Sequence, residues 1–255
     1  MLPLLRGFLL AVLLIAVACA SGEKESILVY TAASLADAVE EIADGYTEET
    51  GTGVELHLGG STALARQIVR GAPGDVFLSA GAGPMDVLEG YALIDPASRR
   101  DILTNRLVLV GKPSVSEAMG ITSIEDLRDA GGVRIAVADP ELAPAGQYAR
   151  EALVSLGLWE RLEASVLPSP HIRAALSYVE TGNADVGIIY VTDLGAADEV
   201  QVLEEIPSES HSPIIYPAAV LISGKGGSAS SFVEYLADDE ASRIFRSHGF
   251  TSLPR

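Results

Sequence analysis

The sequence contains little cysteine, little histidine and little positive charge, and each shortage excludes a class of protein. Cys19 is the only cysteine among 255 residues, so the chain forms no internal disulfide. The four histidines and the single cysteine lack the spacing of metal ligands, which argues against a metalloenzyme. Lys and Arg number 17 against 35 Asp and Glu, and the resulting net charge of -18 repels nucleic-acid phosphates. We therefore expect no nucleic-acid partner.

The N-terminus carries the features of an export leader. An apolar run over residues 8–18 follows Arg6, and it is too short to span a bilayer comfortably. It ends at Cys19, where the small residues that follow resemble a lipoprotein processing site, although Ala-Cys-Ala also fits ordinary signal-peptide cleavage. We assign residues 1–19 to a leader with Cys19 as the lipidated residue, with plain secretion as the alternative. Residues 20–26 form the expected tether of a protein that works outside the cytoplasmic membrane.

Short apolar runs alternate with amphipathic segments along the rest of the chain. The expected strands are 27–31, 54–58, 75–79, 106–110, 133–138, 186–190 and 214–222. The expected helices are 35–50, 62–69, 85–89, 123–130, 146–156, 172–181 and 228–248, the last broken near Asp238. This alternation predicts an α/β fold of mixed, mostly parallel sheets flanked by helices.

No repeat and no glycine-rich linker divides the chain, so two lobes would not be joined in simple tandem. The apolar strands near Leu107 and Ala219 are candidates for two crossings between lobes. We expect lobe I to contain residues 27–105 plus 216–255, and lobe II residues 106–215. A cleft between two such lobes is a common place for a ligand, and the crossing strands would act as the hinge.

Four segments of small residues stand where a strand or loop gives way to an expected helix. They are Ala32-Ala33-Ser34-Leu35, Gly59-Gly60-Ser61-Thr62, Pro144-Ala145-Gly146 and Pro170-His171-Ile172-Arg173. Helix N-termini carry unpaired N–H groups and the positive end of the helix dipole. Four of them converging on one point would bind an anion without any fixed cation. Taken alone, however, Ser34 and Ser61 also fit helix caps, and Tyr190 fits a core-edge residue at a strand end.

The same segments, with others, resemble a known family: the periplasmic molybdate-binding proteins of ABC importers. The resemblance spans nearly the whole mature chain. The matching residues are Ala32-Ala33-Ser34-Leu35, Leu64-Ala65-Arg66-Gln67-Ile68 with residues 71–80, Asp139-Pro140 with residues 144–149, and residues 187–193. Each motif is weak alone, but together, in this order and at these separations, they are specific.

The resemblance implies a two-lobed periplasmic-binding-protein fold, type II-like, with the oxyanion in the interlobe cleft. It implies hydroxyl and N–H donors from Ser34 and Ser61, N–H donors from Ala145 and Ile172, and the hydroxyl of Tyr190. The implied ligand is molybdate, with tungstate expected to bind as well, and molybdenum is held only as this anion. The implied partner is an ABC permease in the cytoplasmic membrane. We expect a monomer without catalytic residues or a cofactor.

Two alternatives remain open at this point. In the first alternative the fold is the same, but the ligand is another tetrahedral oxyanion such as sulfate. The sequence leaves this open because it does not report the size of the cavity, which must separate sulfate from molybdate. Alternatively, Ser34 or Ser61 is the nucleophile of a hydrolase with His57 or His171 as its base, although no Gly-x-Ser-x-Gly elbow is present. We expect His171 at the surface. Arg66 and Arg173 stand near the motifs, at helical positions expected to point away from the cleft.

Overall fold

The computed structural model describes residues 25–224 and 226–254. The predicted leader (1–19), its Cys19 and residues 20–24 of the predicted tether lie outside the described residues. The strands are β1 (Ser26–Ala32), β2 (Gly53–Gly59), β3 (Val76–Leu78), β4 (Arg100–Thr104), β5 (Leu107–Gly111), β6 (Ile135–Ala138), β7 (Val166–Ser169), β8 (Val186–Tyr190), β9 (Gln201–Glu205), β10 (Ile215–Val220) and β11 (Thr251–Ser252). Because β1 begins at Ser26, the last residue of the predicted tether belongs to this strand.

The helices lie between these strands. They are α1 (Ala36–Thr50), α2 (Ser61–Val69), α3 (Ala82–Gly90), α4 (Pro113–Met119), α5 (Pro144–Ser155), α6 (Trp159–Leu162), α7 (Ile172–Glu180), α8 (Gly226–Leu236) and α9 (Asp239–Ser247). The predicted break in the last helix is confirmed, since the Asp238 carboxylate accepts a hydrogen bond from the Ala241 N–H and caps α9.

The predicted helix over 123–130 is wrong. Only a 3-10 turn, Glu125–Arg128, forms there. One oxygen of the Asp126 carboxylate accepts hydrogen bonds from the backbone N–H groups of Thr122 and Ser123, each at 2.8 Å. This local side-chain capping stabilises a tight turn in place of a longer helix.

The strands form two sheets. The first has the order β11-β4-β10-β3-β1-β2, and the second has the order β7-β6-β8-β5-β9. The chain passes from the first sheet to the second between β4 and β5, at Asn105 and Arg106, and returns over residues 206–214. The α/β prediction is therefore confirmed, with helices flanking two sheets.

The sheets are mixed, as expected, but not mostly parallel, because the first has two parallel and three antiparallel pairs and the second has two of each. Parallel pairs join β1 to β2 and β3, and β6 to β7 and β8. Antiparallel pairs join β10 to β3 and β4, β11 to β4, and β5 to β8 and β9. The strands β5 and β10 enter from the other sheet rather than through a crossover helix, so the rule that makes βαβ units parallel does not apply to them.

The larger of two buried apolar clusters extends through both sheets, and the second packs Leu64 and Ile68 of α2 against Phe77 of β3. The larger cluster contains Ile27 and Val29 of the first sheet, Leu107 and Val110 of the second, and Tyr216 beside the return crossing. The helix α1 packs on it through an apolar face at the predicted spacing and ends at Gly51, which adopts φ 77°. This packing fixes the start of α1, and with it Ser34, against the end of β1.

Candidate functional site

One small cavity brings together all five predicted site residues. It is lined by Ser34, Ser61, Ala145, Ile172 and Tyr190 together with Ala32, Ala33, Gly59, Gly60, Ala80, Ala143, Pro144 and His171. These residues follow or end the parallel strands β1, β2 and β3 of the first sheet and β6, β7 and β8 of the second. Ligands of open α/β sheets bind at this carboxyl edge. The lining set includes no Lys, Arg, Asp or Glu.

The cavity volume is about 10 Å³, about the least that can hold one water molecule. A tetrahedral anion of five atoms needs more room, so we expect the facing helix starts to separate when such a ligand enters.

Neither serine acts as the helix cap that its position suggested. Ser34 is buried within a 3-10 turn between β1 and α1, and no side chain caps either that turn or α1. Ser61 is buried as the first residue of α2, whose N-cap is Gly60. Both hydroxyls therefore remain available for another role in the cavity.

Ala80 was not predicted as a site residue, and it forms hydrogen bonds with two residues that were. Its backbone N–H donates to Ser61 Oγ at 3.0 Å, and its carbonyl oxygen accepts from the Tyr190 hydroxyl at 3.2 Å. Because Ser61 Oγ accepts one hydrogen bond here, its own hydrogen is left to point elsewhere. Ala80 acts only through its backbone, so no side-chain pattern revealed it; its place just after β3 was the available indication.

Tyr190 ends β8 and is completely buried. Burial raises the pKa of its hydroxyl well above the usual value, and neighbouring Tyr216 adds to this rise. The phenol therefore keeps its proton and is a hydrogen-bond donor at physiological pH.

The second sheet contributes two helix starts. Ala145 is the second residue of α5 and Ile172 the first residue of α7, and both are buried at the cavity. The N–H groups of the first helical turn have no partner within their own helix. The arrangement thus aims backbone donors of α5 and α7 toward the serines of the first sheet.

Gly60 lines the cavity and also allows a close approach between the two sheets. A Cβ at this position would lie 2.4 Å from the carbonyl oxygen of Leu142 and 2.8 Å from that of Pro170. Next to it, the N–H of Ala63 donates to the same Leu142 carbonyl at 3.0 Å. The glycine therefore lets backbone segments that follow β6 and β7 of the second sheet close onto the start of α2.

His171 lines the cavity and is half-buried, so it is still partly exposed at the surface. It is the N-cap of α7, where Nδ1 accepts a hydrogen bond from the Ala174 N–H at 3.3 Å. Burial, and then the nearby Arg173 charge, lower the pKa of this imidazole. The neutral ring is the form that caps α7.

Neither arginine near the motifs lines the small cavity, but the expectation that both point away from the cleft is wrong, because each pairs with a carboxylate across the two sheets. Arg173 Nη2 lies 2.6 Å from Asp37 Oδ2 of α1, and its Nε lies 2.7 Å from Oδ1 of buried Asp193. Arg66 Nη2 lies 3.2 Å from Glu141 Oε2. The pairs Arg173–Asp37 and Arg66–Glu141 each join an element of the first sheet to one of the second.

A larger crevice of about 600 Å³ adjoins the cavity and shares Ser34 with it. Its basic groups already have acidic partners: Arg106 pairs with Glu205, Arg173 with Asp37, and His248 with Glu41. The crevice therefore offers an anion no unpaired cation, and the small cavity with its neutral donors is the better anion site. Over residues 25–224 and 226–254, no cluster of His, Cys, Asp and Glu is suited to hold a metal ion.

The comparisons with known proteins agree with this geometry. Residues 27–251 match the family model described as bacterial extracellular solute-binding protein. The chain belongs to this family. In this solute-binding protein the match includes both sheets and every residue of the cavity. No helix of the described part of the chain has both the length and the apolarity needed to cross a membrane.

Three relatives of this solute-binding protein are informative. Molybdate-binding protein ModA of Escherichia coli is 39% identical over 91% of this chain and 91% of its own length. The putative ABC transporter substrate-binding lipoprotein YvgL of Bacillus subtilis is 35% identical over 91% of this chain and 88% of its own. The solved periplasmic molybdate-binding protein of Azotobacter vinelandii has a TM-score of 0.78 at 26% identity, over 90% of this chain and 100% of that one.

Proposed function

We propose that this protein captures molybdate outside the cytoplasmic membrane and delivers it to an ABC importer. The observation that carries the proposal is the convergence of Ser34, Ser61, Ala145, Ile172 and Tyr190 on one cavity without charged side chains. The molybdate-binding relatives, which match nearly the whole chain, support the choice of ligand. Tungstate, of nearly the same size and charge, binds in the same way.

The donor set suits an anion that carries no proton. Molybdate is fully deprotonated at neutral pH and needs only hydrogen-bond donors. Hydrogen bonds to a charged oxygen are stronger than neutral ones, and about six or seven of them support sub-micromolar binding, about -8 kcal/mol or better. Hydrogen phosphate would bring a hydroxyl whose hydrogen needs an acceptor. The oxygens of Ser34, Ser61 and the Ala80 carbonyl already have hydrogen-bond partners, so we expect its rejection. Sulfate differs from molybdate chiefly in size, and the test below includes it.

Binding closes two lobes around the anion. We assign residues 27–105 and 216–255 to lobe I and 106–215 to lobe II, a division supported by the membership of the two sheets. The anion first meets Ser34 and Ser61 of lobe I. Lobe II then brings up Ala145, Ile172 and Tyr190, which shifts an existing equilibrium between open and closed forms. The closed form is what the permease recognises.

A binding role, rather than hydrolysis, is supported by the partners of the two serines. Ser34 Oγ faces the Tyr216 hydroxyl at 3.4 Å, and Ser61 Oγ accepts from a backbone N–H. A serine nucleophile needs a base within hydrogen-bond reach. Among the described contacts, His171 Nδ1 is engaged in capping α7, and His57 is exposed beside Tyr30. We therefore propose that this protein is not an enzyme.

The place of action follows from the leader. We propose that Cys19 is acylated and holds a monomeric protein on the outer face of the cytoplasmic membrane. A relative named as a lipoprotein supports this anchor. Labelling with a radioactive fatty acid tests it: the wild type retains label and Cys19→Ala does not. Equal labelling of both would contradict the anchor.

The two serines provide the test of the site. Isothermal titration with molybdate should show that Ser34→Ala and Ser61→Ala each weaken binding by about 1.5–3 kcal/mol, the usual contribution of a hydrogen bond to a charged group. Ser177→Ala, at an exposed position on α7, is the control and should bind like the wild type. Two serine variants with wild-type affinity would overturn the assignment.

A further inference from the structure

Asn105 is the centre of a hydrogen-bond network beside the cavity. Its Nδ2 donates to Thr192 Oγ1 at 2.9 Å and to the Tyr216 hydroxyl oxygen at 3.0 Å. Its Oδ1 accepts from the Arg106 N–H at 2.9 Å. Since Oδ1 must face a donor, the orientation of the amide is fixed, and Nδ2 is the group that meets Tyr216.

The hydroxyl of Tyr216 has one remaining direction in which to donate. The side chain is completely buried, and its oxygen already accepts from Asn105. The Tyr190 hydroxyl and Ser34 Oγ also lie near this hydroxyl, and of these Ser34 Oγ lies within hydrogen-bond distance, at 3.4 Å. A buried hydroxyl hydrogen without an acceptor costs about 1–3 kcal/mol, so Tyr216 donates and Ser34 accepts. Burial raises the pKa of Tyr216 far above its usual value, so the phenol remains protonated.

The direction of the hydrogen bond from Tyr216 to Ser34 determines which way the Ser34 hydroxyl can donate. With one lone pair directed at Tyr216, the hydroxyl hydrogen of Ser34 is free to point into the cavity that the same residue lines. The contact is longer than the usual O–H···O distance of about 2.7–2.8 Å. It shortens when an anion draws the serine hydrogen, because each donor in a chain of hydrogen bonds polarises the next.

We propose that Tyr216 and Asn105 are positioning residues that orient the Ser34 hydroxyl as a donor to the bound anion. This inference rests on the proposed function. Asn105 lies in the first crossing between the sheets, between β4 and β5, and Tyr216 lies just beyond the return crossing as the second residue of β10. The hydrogen bonds that orient the Ser34 hydroxyl therefore come from residues in and beside the proposed hinge.

A double-mutant cycle tests the relay. Tyr216→Phe removes the phenol hydroxyl and should weaken molybdate binding about three- to tenfold in isothermal titration, the range expected for one hydrogen bond. In a Ser34→Ala background the same change should have no effect, because the hydroxyl it orients is gone. In a Ser61→Ala background it should keep its full effect, since Ser61 is held by Ala80 instead.

Two further variants keep the test decisive. Asn105→Ala combined with Tyr216→Phe should weaken binding no more than either change alone, and this cycle does not require Ser34→Ala to bind. Tyr46→Phe also removes a buried hydroxyl, one bonded to the Ser228 carbonyl, and should leave binding unchanged. Equal losses from Tyr216→Phe with and without Ser34 would overturn the relay while the proposed function stands. Failure of the wild type to bind any oxyanion would overturn both.

Discussion

Tyr190 and Ala80 lie in different sheets and meet inside the cavity, where the tyrosine hydroxyl donates to the alanine carbonyl oxygen at 3.2 Å. The N–H of Ala80 simultaneously donates to Ser61 Oγ at 3.0 Å. Ala80, just after β3, is thus hydrogen-bonded to one proposed anion donor from each proposed lobe, Ser61 of lobe I and Tyr190 of lobe II. The hydrogen bond between the two sheets and the proposed anion donor Ser61 are therefore neighbours in space.

Tyr190→Phe should weaken molybdate binding by about 1.5–3 kcal/mol, because it removes the hydroxyl whose single hydrogen, donated to the Ala80 carbonyl in this structure, turns to the charged oxygen of the anion. Isothermal titration measures the change. Thermal unfolding of the variant without ligand distinguishes a loss of the donor from a loss of the fold. A variant that folds and binds molybdate as tightly as the wild type would remove Tyr190 from the site.

Gly60→Ala should hinder closure. Its Cβ would lie 2.4 Å and 2.8 Å from two carbonyl oxygens of the facing segments, whereas Gly60 itself has φ -71°, which alanine adopts freely. Overpacking of this kind costs about 1–3 kcal/mol, and we expect that cost in molybdate affinity rather than in unfolding of the free protein.

Gly83→Ala is the matched control, since no atom lies within 4 Å of its added Cβ. Titration of both variants with molybdate, with small-angle scattering to follow closure, provides the measurement. Equal affinity of Gly60→Ala and Gly83→Ala would show that the close approach at Gly60 is not needed for binding.

The two ion pairs that join the sheets should differ in effect. Arg173 is mostly buried and is held by Asp193, so its pairing with Asp37 is pre-arranged, whereas Arg66 and Glu141 are both well exposed. We expect Asp37→Asn to weaken molybdate binding by up to about 1 kcal/mol and Arg66→Gln to have no measurable effect. Titrations at low and high salt measure both, and the Asp37 effect should shrink as salt rises. A larger effect of Arg66→Gln would contradict this ranking.

His171 should make stability depend on pH. Burial lowers the pKa of the folded imidazole below the unfolded value of about 6.5. The unfolded chain therefore binds more protons, and the free energy of unfolding falls as pH drops below about 6.5 and through the folded pKa. His171→Asn keeps a capping side chain that does not titrate, so its unfolding free energy should fall less over this range. Chemical denaturation from about pH 8 to pH 5 compares the two, and superimposable profiles would contradict the prediction.

The parts of this fold that could be predicted from the sequence depend on local patterns. The apolar face of α1 and the strands that precede Ser34 and Ser61 follow from residue spacing alone. The strands β4, β7, β9 and β11 were not predicted. Three of them, β7, β9 and β11, lie at sheet edges, and β7 contains Pro168. The inner strand β4 pairs with β10 and β11, which are distant in the chain.

The residues of the candidate site that could be predicted are those with a distinctive side chain or a place in a family motif. Ser34, Ser61 and Tyr190 have chemistry that draws attention, and Ala145 and Ile172 were found only through the family resemblance. The contribution of Ala80 and the approach to Gly60 are backbone contacts between separate sheets. Such contacts depend on tertiary packing rather than on the local residue pattern. The same holds for Asn105 and Tyr216. The hydrogen bond between them joins residues that are 111 positions apart in the chain, and the bond from Tyr216 to Ser34 spans 182 positions.

The central claim is tested most directly by isothermal titration of the mature protein with molybdate, tungstate, sulfate and phosphate at equal salt. The account predicts 1:1 binding of molybdate and tungstate below about 1 μM, about -8 kcal/mol or better, with sulfate and phosphate giving no heat. Tight binding of sulfate would change the ligand and keep the site. The absence of heat with every oxyanion would contradict the account.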